Sequence, residues 1–355
     1  MLLTTDDPAW DTVVDRAGGD FYHRRGYHAL AQSRGEGRAY LTVFGDDRRQ
    51  LAWPYLLRQV PGSSHVDVTS VYGYVGPLAH GLENLPTGLA ESFLASAWSA
   101  VRDTWRHQGV VSAFTVFHPL LENSRLAQGF HGDASGPLPA IRTLGRTASI
   151  DLSLTREQRL AAYEKETRYQ VGRARRNGFE TILDVDLEHV DDLADLYTAT
   201  MLRNSARDDY FFSPGYFRDL LTALDGQGHL MLATLDSRVV GALLFVVDGP
   251  YGAAHLTGVD EAHLRLSPLN LMLDATADAA KNLGARWLHL GAGRGGFEDS
   301  LYDFKRRIGT VEREFSVGRW VVDPDAYREL SRLDPTDASP PAGDFFPAYR
   351  AHRLV

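Results

Sequence analysis

The sequence of 355 residues contains no cysteine. This absence excludes disulfides, thiol nucleophiles and cysteine-ligated zinc or iron–sulfur sites. No run approaches 18 consecutive apolar residues, so no transmembrane helix is predicted. The 13 histidines include no H-E-x-x-H motif, and we expect no metal site. The formal net charge of −9 means that an RNA or phosphate partner must meet a local basic patch.

Two other features that the sequence lacks or has few of concern the location and the chemistry of the protein. The N-terminus lacks the basic-then-apolar order of a signal peptide, so a cytoplasmic location is the default expectation. Only three of the 37 lysine and arginine residues are lysines, namely Lys165, Lys281 and Lys305. A lysine in a chain that otherwise uses arginine is therefore a candidate for a specific role.

Residues 287–296 read WLHLGAGRGG, and their glycines have the spacing G-x-G-x-x-G of dinucleotide-binding loops. A dinucleotide site also requires a strand–turn–helix unit and an acidic residue about 20 positions further on. Here the loop Gly-Gly-Phe-Glu-Asp follows, and the later acidic residues fall in a predicted strand. An S-adenosylmethionine site would need most of a sheet after the loop, where we find one convincing strand. We therefore interpret the glycines as residues that let a loop turn sharply beside the helix carrying Lys305.

The chain repeats one order of elements. A T-x-x-Q capping box at Thr155 and Gln158 predicts a helix that Gly178 ends, and Asp186 is predicted to cap the helix that runs to Arg203. Three strands, a long helix and a further strand then follow, as they do in the first half. We predict an α/β protein with mixed sheets, divided into domains of residues 1–148 and 149–330 and an irregular, proline-rich tail of residues 331–355.

The long helix of the second half begins at Ser267-Pro268 and has apolar residues on one face at helical period. Asp274, Asp278 and Lys281 are predicted on its polar face. In acetyl-CoA enzymes of the GNAT (N-acetyltransferase-like) fold, which this element order resembles, the preceding loop reads R/Q-x-x-G-x-G/A and its N–H groups hold the pyrophosphate. Here residues 263–271 read HLRLSPLNL, with no glycine and with a proline that lacks an N–H group. We expect CoA to bind there weakly or not at all.

Five stretches resemble the FemABX-type family, whose members resemble two GNAT domains in tandem. They are DVTSVYGYVGPL (67–78), FTVFHPLLEN (114–123), YEKETRYQVGRARRNGFE (163–180), MLRNSARDDYFFSPGYFRDL (201–220) and DSLYDFKRRIG (299–309). The resemblance implies transfer of an amino acid from aminoacyl-tRNA to an amine of a peptide, a peptidoglycan precursor or a secondary metabolite, without a bound cofactor. An acyl-CoA-dependent N-acyltransferase and a non-catalytic binding protein on a GNAT pair are the alternatives.

The resemblance also suggests two catalytic residues. Lys305 lies in the F-K-x-x-(I/F)-G segment, where the family's lysine is thought to stabilise the oxyanion formed when an amine attacks an aminoacyl ester. His255 lies in a predicted strand near which the family binds the acceptor amine, and a neutral imidazole could orient that amine or receive its proton. The structural alternatives are a solvated lysine and a half-buried histidine with one hydrogen bond.

Further residues are predicted to bind substrate. Guanidinium groups suit phosphate or carboxylate recognition, and an aromatic, glycine-rich bend suits a ligand cleft. The predicted substrate-binding residues are Arg203, Asn204, Arg207, Tyr210, Tyr72, Tyr74, Arg294 and Phe304. A tRNA or phosphate patch is predicted at Arg168, Arg173, Arg175 and Arg176, which also suit the C-terminus of a helix dipole. We expect His118 to be structural and Asn123 to be a cap or turn residue.

Overall fold

The computed structural model describes residues 1–130, 140–332 and 345–353. The chain forms two compact units: unit 1 comprises Met1–Leu144 and Phe315–Val355, and unit 2 comprises Gly145–Glu314. No helix within the described ranges is long and apolar enough to cross a membrane.

The strands of unit 1 pair both parallel and antiparallel, and helices lie between them in the sequence. Its elements are β1 (Leu2–Thr4), α1 (Ala9–Arg16), α2 (Arg25–Ser33), β2 (Arg38–Gly45), β3 (Gln50–Gln59), β4 (Val66–Thr69), β5 (Leu78–His80), α3 (Thr87–His107), β6 (Val110–Val116) and the start of β7 (Ile141–Asp151). The strand order is β1-β2-β3-β4-β6, followed by the end of a late strand, β13 (Val311–Val321), and β5 also pairs with β3. The helix α10 (Pro324–Ser331) follows β13.

The strands of unit 2 pair both parallel and antiparallel, and a largely buried helix lies in the middle of its sequence. Its elements after β7 are α4 (Arg156–Ala162), α5 (Lys165–Arg176), β8 (Glu180–Asp184), α6 (Val190–Arg203), α7 (Pro214–Ala223), β9 (Gly228–Leu235), β10 (Arg238–Asp248), β11 (Tyr251–Val259), α8 (Pro268–Asn282), β12 (Trp287–Gly291) and α9 (Ser300–Ile308). The strand order is β7-β12-β11-β10-β9-β8.

The same order recurs in both units. Three antiparallel strands lead into a long helix, and the next strand pairs in parallel with the third: β6 with β4 in unit 1, and β12 with β11 in unit 2. A parallel neighbour requires a crossover connection, which α3 and α8 supply. The predicted α/β architecture with a repeated element order is confirmed.

Aromatic residues form the core of unit 1. The ring of Trp53 on β3 contacts four other aromatic rings, with distances of 5.1 to 6.0 Å between ring centres. These belong to Trp98, Trp105, Phe130 and Trp320. Trp320 belongs to β13, whose residues Val317–Val321 pair with β6. The predicted domain of residues 149–330 included this segment, whereas the structure assigns Phe315 onwards to unit 1 because of this pairing and packing.

Several other details differ from the expectations. The predicted helix from Thr155 to Gly178 is two helices, because Tyr163 is buried with an extended backbone and ends α4. Asp186 does not cap α6: the N-cap residue is His189, and the carboxylate of Asp184 accepts hydrogen bonds from the backbone of Glu188 and His189 just before the helix. Residues 333–344 and 354–355 of the predicted irregular tail lie outside the described residues. Within the described part of the tail, Ala348–Arg353 form a short 3-10 helix, and Tyr349 donates a hydrogen bond to the buried Asp67.

A close approach of β11 to α6 provides a test of the packing in unit 2. A Cβ atom on Gly258 would lie 2.2 Å from the carbonyl carbon of Leu196 and 2.3 Å from the backbone nitrogen of Tyr197. Gly258→Ala should therefore lower the unfolding free energy by about 1–3 kcal/mol, because backbone atoms must move. Urea denaturation measures this change.

Gly88→Ala is the matched control, because nothing lies within 4 Å of its added Cβ. Alanine in the helix α3 should leave stability unchanged or raise it by up to about 1 kcal/mol. Equal midpoints for the two variants would contradict the close packing of β11 on α6.

Candidate functional site

The strands β11 and β12 pair over their first three residues only and then part. They pair in parallel from Tyr251 opposite Trp287 to Ala253 opposite His289, and β11 then continues to Val259. On its other edge β11 has a bulge, since Leu256 lies opposite Leu244 and Ala254 opposite Phe245. The extra residue is His255. Bulges re-aim a side chain and often lie beside active sites.

His255 is an uncharged imidazole at neutral pH. Its side chain is partly buried, and burial lowers its pKa from 6.5 to about 4. The last paired residues are Ala253 and His289. His255 and Gly291, the last residue of β12, each lie two residues further along their strands. A neutral imidazole there can accept a hydrogen bond from an amine.

The glycines after β12 let the chain fold closely on itself. Gly291 has a φ of 82°, which disfavours residues with a Cβ atom. A Cβ on Gly293 would lie 2.1 Å from the carbonyl oxygen of Phe297 and 2.3 Å from Oδ1 of Asp299. The carboxylate of Asp299 accepts hydrogen bonds from the backbone of Leu301 and Tyr302, which caps α9. The interpretation of these glycines as turn residues beside the Lys305 helix is confirmed.

Lys305 on α9 binds the start of this loop. Its Nζ donates a hydrogen bond of 2.6 Å to the carbonyl oxygen of Ala292. Burial lowers the pKa of the Lys305 ammonium from 10.5 to about 8, and the nearby charge of Asp299 opposes that shift only in part. The ammonium is therefore held at a fixed place and is poorly solvated, which is the condition under which a charge acts strongly on a reacting group.

Two other predicted residues belong to the same segment. Arg294 is largely exposed, and its Nε donates a hydrogen bond of 2.8 Å to Asp299. Phe304 precedes Lys305 on α9 and packs against the hydrophobic core of unit 2. The structure thus brings Lys305 and Arg294 to one loop, and its register brings His255 to the same end of the sheet.

The predicted residues at the end of α6 hold local structure. Arg203 donates hydrogen bonds to the carbonyl oxygen of Val259, at 3.4 Å, and to the hydroxyl of Thr200, at 3.3 Å, so it ties α6 to the end of β11. Asn204 is the C-cap residue of α6. The guanidinium of Arg207 lies 5.9 Å from the ring centre of Tyr210.

The four arginines of the predicted patch lie on α5, three of them in its last turn. Arg168 donates to three carbonyl oxygens at the end of α4, and Arg175 forms an ion pair of 2.9 Å with Asp274. Arg176 lies over the ring of Tyr169, and Arg173 is partly buried. Two of these arginines therefore have a structural task that the sequence alone did not reveal.

Asp274 is the main polar residue that the sequence pattern misplaced. It was predicted on the polar face of α8, but its side chain is fully buried. Arg156 and Arg175 each approach its Oδ2 at 2.9 Å, and Tyr163 donates to its Oδ1. The only sequence signal was the arginine-rich composition of α4 and α5, which supplies the counter-charges for this carboxylate.

Tyr72 and Tyr74 belong to unit 1. Tyr72 is 52% exposed, whereas the ring of Tyr74 lies edge-on to Tyr22 and Phe315. His118 and Asn123 lie below the same bend and are buried and hydrogen-bonded. The expectation that both are structural agrees with these contacts.

Residues 165–306 match the family described as "Acetyltransferase (GNAT) domain". Three similar solved structures share the fold across nearly the whole chain. FemX has 15% identity and a TM-score of 0.70, and the match covers 93% of this chain and 98% of that one. A conserved protein of unknown function from Bacteroides thetaiotaomicron has 11% identity, a TM-score of 0.56 and coverages of 90% and 98%.

The third structure is the C-terminal domain of a putative lysylphosphatidylglycerol synthetase from Agrobacterium fabrum, with 15% identity, a TM-score of 0.52 and coverages of 87% and 92%. A search of curated proteins gives no significant match. The fold is a tandem GNAT-like fold of the FemX type. This confirms the fold resemblance drawn from the five sequence stretches.

The environment of Lys305 can be measured directly because the chain has only three lysines. With ¹³C-labelled lysine, the side-chain signal that Lys305→Met removes should titrate with a midpoint near pH 8, since burial disfavours the charged form. A midpoint near 10.5 would mean that water surrounds the ammonium, and the description of a fixed, poorly solvated charge would be wrong.

Proposed function

We propose that this protein is an aminoacyltransferase that moves an amino acid from aminoacyl-tRNA to an amine of a peptide, a peptidoglycan precursor or a secondary metabolite. The observation that carries the proposal is the ammonium of Lys305, held at the end of β12 where β11 and β12 part. Under the proposal the reacting carbonyl group of the donor binds beside this ammonium.

The reaction is a direct attack of the acceptor amine on the aminoacyl ester. A C–N bond forms, and the carbonyl oxygen becomes an oxyanion that the Lys305 ammonium stabilises. The C–O ester bond then breaks, and the ribose oxygen of the tRNA leaves with a proton derived from the amine. The neutral imidazole of His255 accepts a hydrogen bond from the amine and so orients its lone pair.

The start of α8 favours aminoacyl-tRNA over acyl-CoA as the donor. A pyrophosphate at a helix N-terminus needs free backbone N–H groups close to the phosphates. Here Ser267 is the N-cap residue, with a φ of 58°, and the buried Pro268 follows at the first helical position. Asn270 is buried as well and donates a hydrogen bond of 2.6 Å to Gln170. Side chains therefore occupy the place of a glycine nest.

The names of two similar structures support the same donor class. FemX carries the name of the family that the sequence resembles, and the family includes aminoacyltransferases that use aminoacyl-tRNA. The structure from Agrobacterium fabrum is the C-terminal domain of a putative lysylphosphatidylglycerol synthetase, a name that also contains an aminoacyl group. Under the proposal the acceptor end of tRNA contacts the arginines of α5, and the protein acts in the cytoplasm, where charged tRNA is found.

The second candidate is an acyl-CoA-dependent N-acyltransferase. The matched family description favours it, since it names an acetyltransferase domain over residues 165–306. A third possibility, a binding protein without catalysis, would keep the fold and lack any transfer activity. A transfer assay with both donors separates the three.

In that assay the donors are bulk aminoacyl-tRNA and acetyl-CoA, and the acceptor is a peptide with a free lysine side-chain amine. We expect amide formation from aminoacyl-tRNA, and for acetyl-CoA a Kd weaker than about 1 mM by calorimetry. Micromolar binding of acetyl-CoA with acetyl transfer would reverse the order of the two candidates. Absence of transfer from either donor would favour the binding protein.

The role of Lys305 predicts a specific kinetic loss. Lys305→Ala should lower the rate of the chemical step about a hundredfold and leave donor binding nearly unchanged, because one oxyanion donor is worth about 3 kcal/mol. Lys281→Ala is the matched control, since Lys281 also donates to a backbone carbonyl, that of Leu154, but is exposed. A folded Lys305→Ala protein with most of its rate would remove this residue from the mechanism.

A further inference from the structure

One side of the helix α5 is exposed or partly exposed and carries charge of a single sign. Thr167, Val171 and Ala174 are buried, and they lie on one side of the helix because positions three, four and seven apart share a face. By the same spacing, positions 165, 169, 172, 173 and 176 share the opposite face. The residues of this face, the cationic stripe, are Lys165, Tyr169, Gly172, Arg173 and Arg176.

The three cations of the stripe have no carboxylate partner in the part of the chain that the structure describes. Arg175, on a neighbouring side of α5, binds the buried Asp274 at 2.9 Å. Lys165, Arg173 and Arg176 form no such ion pair within the described ranges, although the chain has 46 acidic against 37 basic residues. Their counter-charge therefore comes from the solution or from a bound anion.

An aromatic ring lies among these cations. Tyr169 is 55% exposed, so its ring is not used to fill the core of unit 2. The guanidinium of Arg176 lies 5.7 Å from the centre of this ring, which is the distance of a cation–π contact. Proteins bind single-stranded nucleic acids with this combination, because a base stacks on an exposed ring while cations meet the phosphates.

Gly172 leaves room for the guanidinium beside the ring. A Cβ atom on Gly172 would lie 3.2 Å from Nη1 of Arg176. Glycine inside a helix is less stable than alanine, and Gly172 does not have the positive φ that would require it. The close approach of the Arg176 side chain is thus the feature of the structure that a glycine at this position permits.

The stripe begins beside the helix that carries Lys305. The backbone N–H of Glu164, the N-cap residue of α5, donates a hydrogen bond of 2.9 Å to the carbonyl oxygen of Arg307. The carboxylate of Glu164 also forms an ion pair of 3.0 Å with Arg306. Both arginines lie in the last turn of α9, so a strand bound along the stripe has one end next to α9.

The dimensions of the stripe suit a short single strand of nucleic acid. From Lys165 to Arg176 the helix rises about 16 Å. Because a strand carries one phosphate per about 3.4 Å, this length matches about five nucleotides. A lipid surface is a poorer match, since a helix that lies in a membrane interface buries its apolar side there. The apolar side of α5 already packs in the core of unit 2.

We propose that the cationic stripe binds the single-stranded end of an RNA, with one base stacked on Tyr169 and the flanking phosphates paired with the three cations. This inference rests on the proposed function for the identity of the RNA, which is the acceptor end of aminoacyl-tRNA. RNA binding itself is measurable without any transfer. Arg168 and Arg175 of the predicted patch take no part, because they bind the end of α4 and Asp274.

Fluorescence anisotropy with a labelled single-stranded RNA hexanucleotide tests the stacking. The unaltered protein should bind with a Kd of about 1–100 µM at low salt. Tyr169→Ala should weaken binding about tenfold, whereas Tyr169→Phe should stay within about twofold of the unaltered protein, because a ring stacks without its hydroxyl group. Equal affinities for the alanine variant and the unaltered protein would overturn the proposal.

The same assay tests the cations through its salt dependence. Arg173→Gln and Arg176→Gln should each weaken binding and lower the slope of log Kd against log salt by about 1. The matched control is Arg218→Gln, which removes an exposed arginine that is paired with Asp191, and it should change neither quantity. Slopes that are unchanged in all three variants would show that RNA does not bind at the stripe.

Gly172→Ala separates binding from stability. The variant should unfold at a higher urea concentration, because alanine favours the helix. It should nevertheless bind the RNA about threefold more weakly, since the added methyl group displaces Arg176 from its cation–π position. A more stable variant with unchanged RNA affinity would contradict the assigned role of Arg176.

Two comparisons separate this inference from its alternatives. Vesicles of equal parts phosphatidylcholine and phosphatidylglycerol should bind no better to the unaltered protein than to Tyr169→Ala; the opposite result, with no RNA binding, would assign the stripe to a lipid surface. If RNA binds through the stripe but aminoacyl-tRNA supports no transfer, the proposed function fails and the RNA site stands. If transfer occurs and Tyr169→Ala keeps the normal KM for aminoacyl-tRNA, only the inference about the stripe is wrong.

Discussion

The contact between Lys305 and the carbonyl of Ala292 depends on how closely α9 approaches the end of β12. That approach requires glycine at position 293, because a Cβ atom there would collide with the carbonyl oxygen of Phe297 and the carboxylate of Asp299. Asp299 then starts α9 by capping it, and Ile308 buries the other end of the helix in the core of unit 2. The lowered pKa of Lys305 is thus a consequence of backbone geometry.

The two units share an element order but use it differently. In unit 2 the parting of β11 and β12, together with the bulge at His255, leaves an open end to the sheet beside the Lys305 loop. In unit 1 the buried polar groups beneath the bend hold backbone carbonyls instead. Under the proposed function, unit 2 provides the reacting groups, and unit 1 provides a bend whose backbone is held by buried polar side chains. A duplicated fold permits this division of tasks because function resides in sites rather than in folds.

Local patterns predicted the order of strands and helices well, because strand alternation, capping residues and glycine stops act over a few positions. The range of α9 and the capping box at Thr155 follow from such signals. Contacts between distant residues were not predictable in this way. The helical pattern of α8 predicts an exposed Asp274, but the side chain is buried and forms ion pairs with arginines on α4 and α5. Likewise, Asp20 and His118 are 98 positions apart, and nothing local links them.

The pH dependence of the transfer rate tests the central claim most directly. A protonated Lys305 and an unprotonated acceptor amine are both required, so the single-turnover rate should rise with pH as the acceptor loses its proton and level off above about pH 8, where Lys305 loses its own proton. Lys305→Arg stays charged, and its residual activity should keep rising above pH 8. A rate that keeps rising steeply through pH 8 to 9.5 in the unaltered protein would contradict the account, because the rate would then depend on the ionisation of the acceptor amine alone.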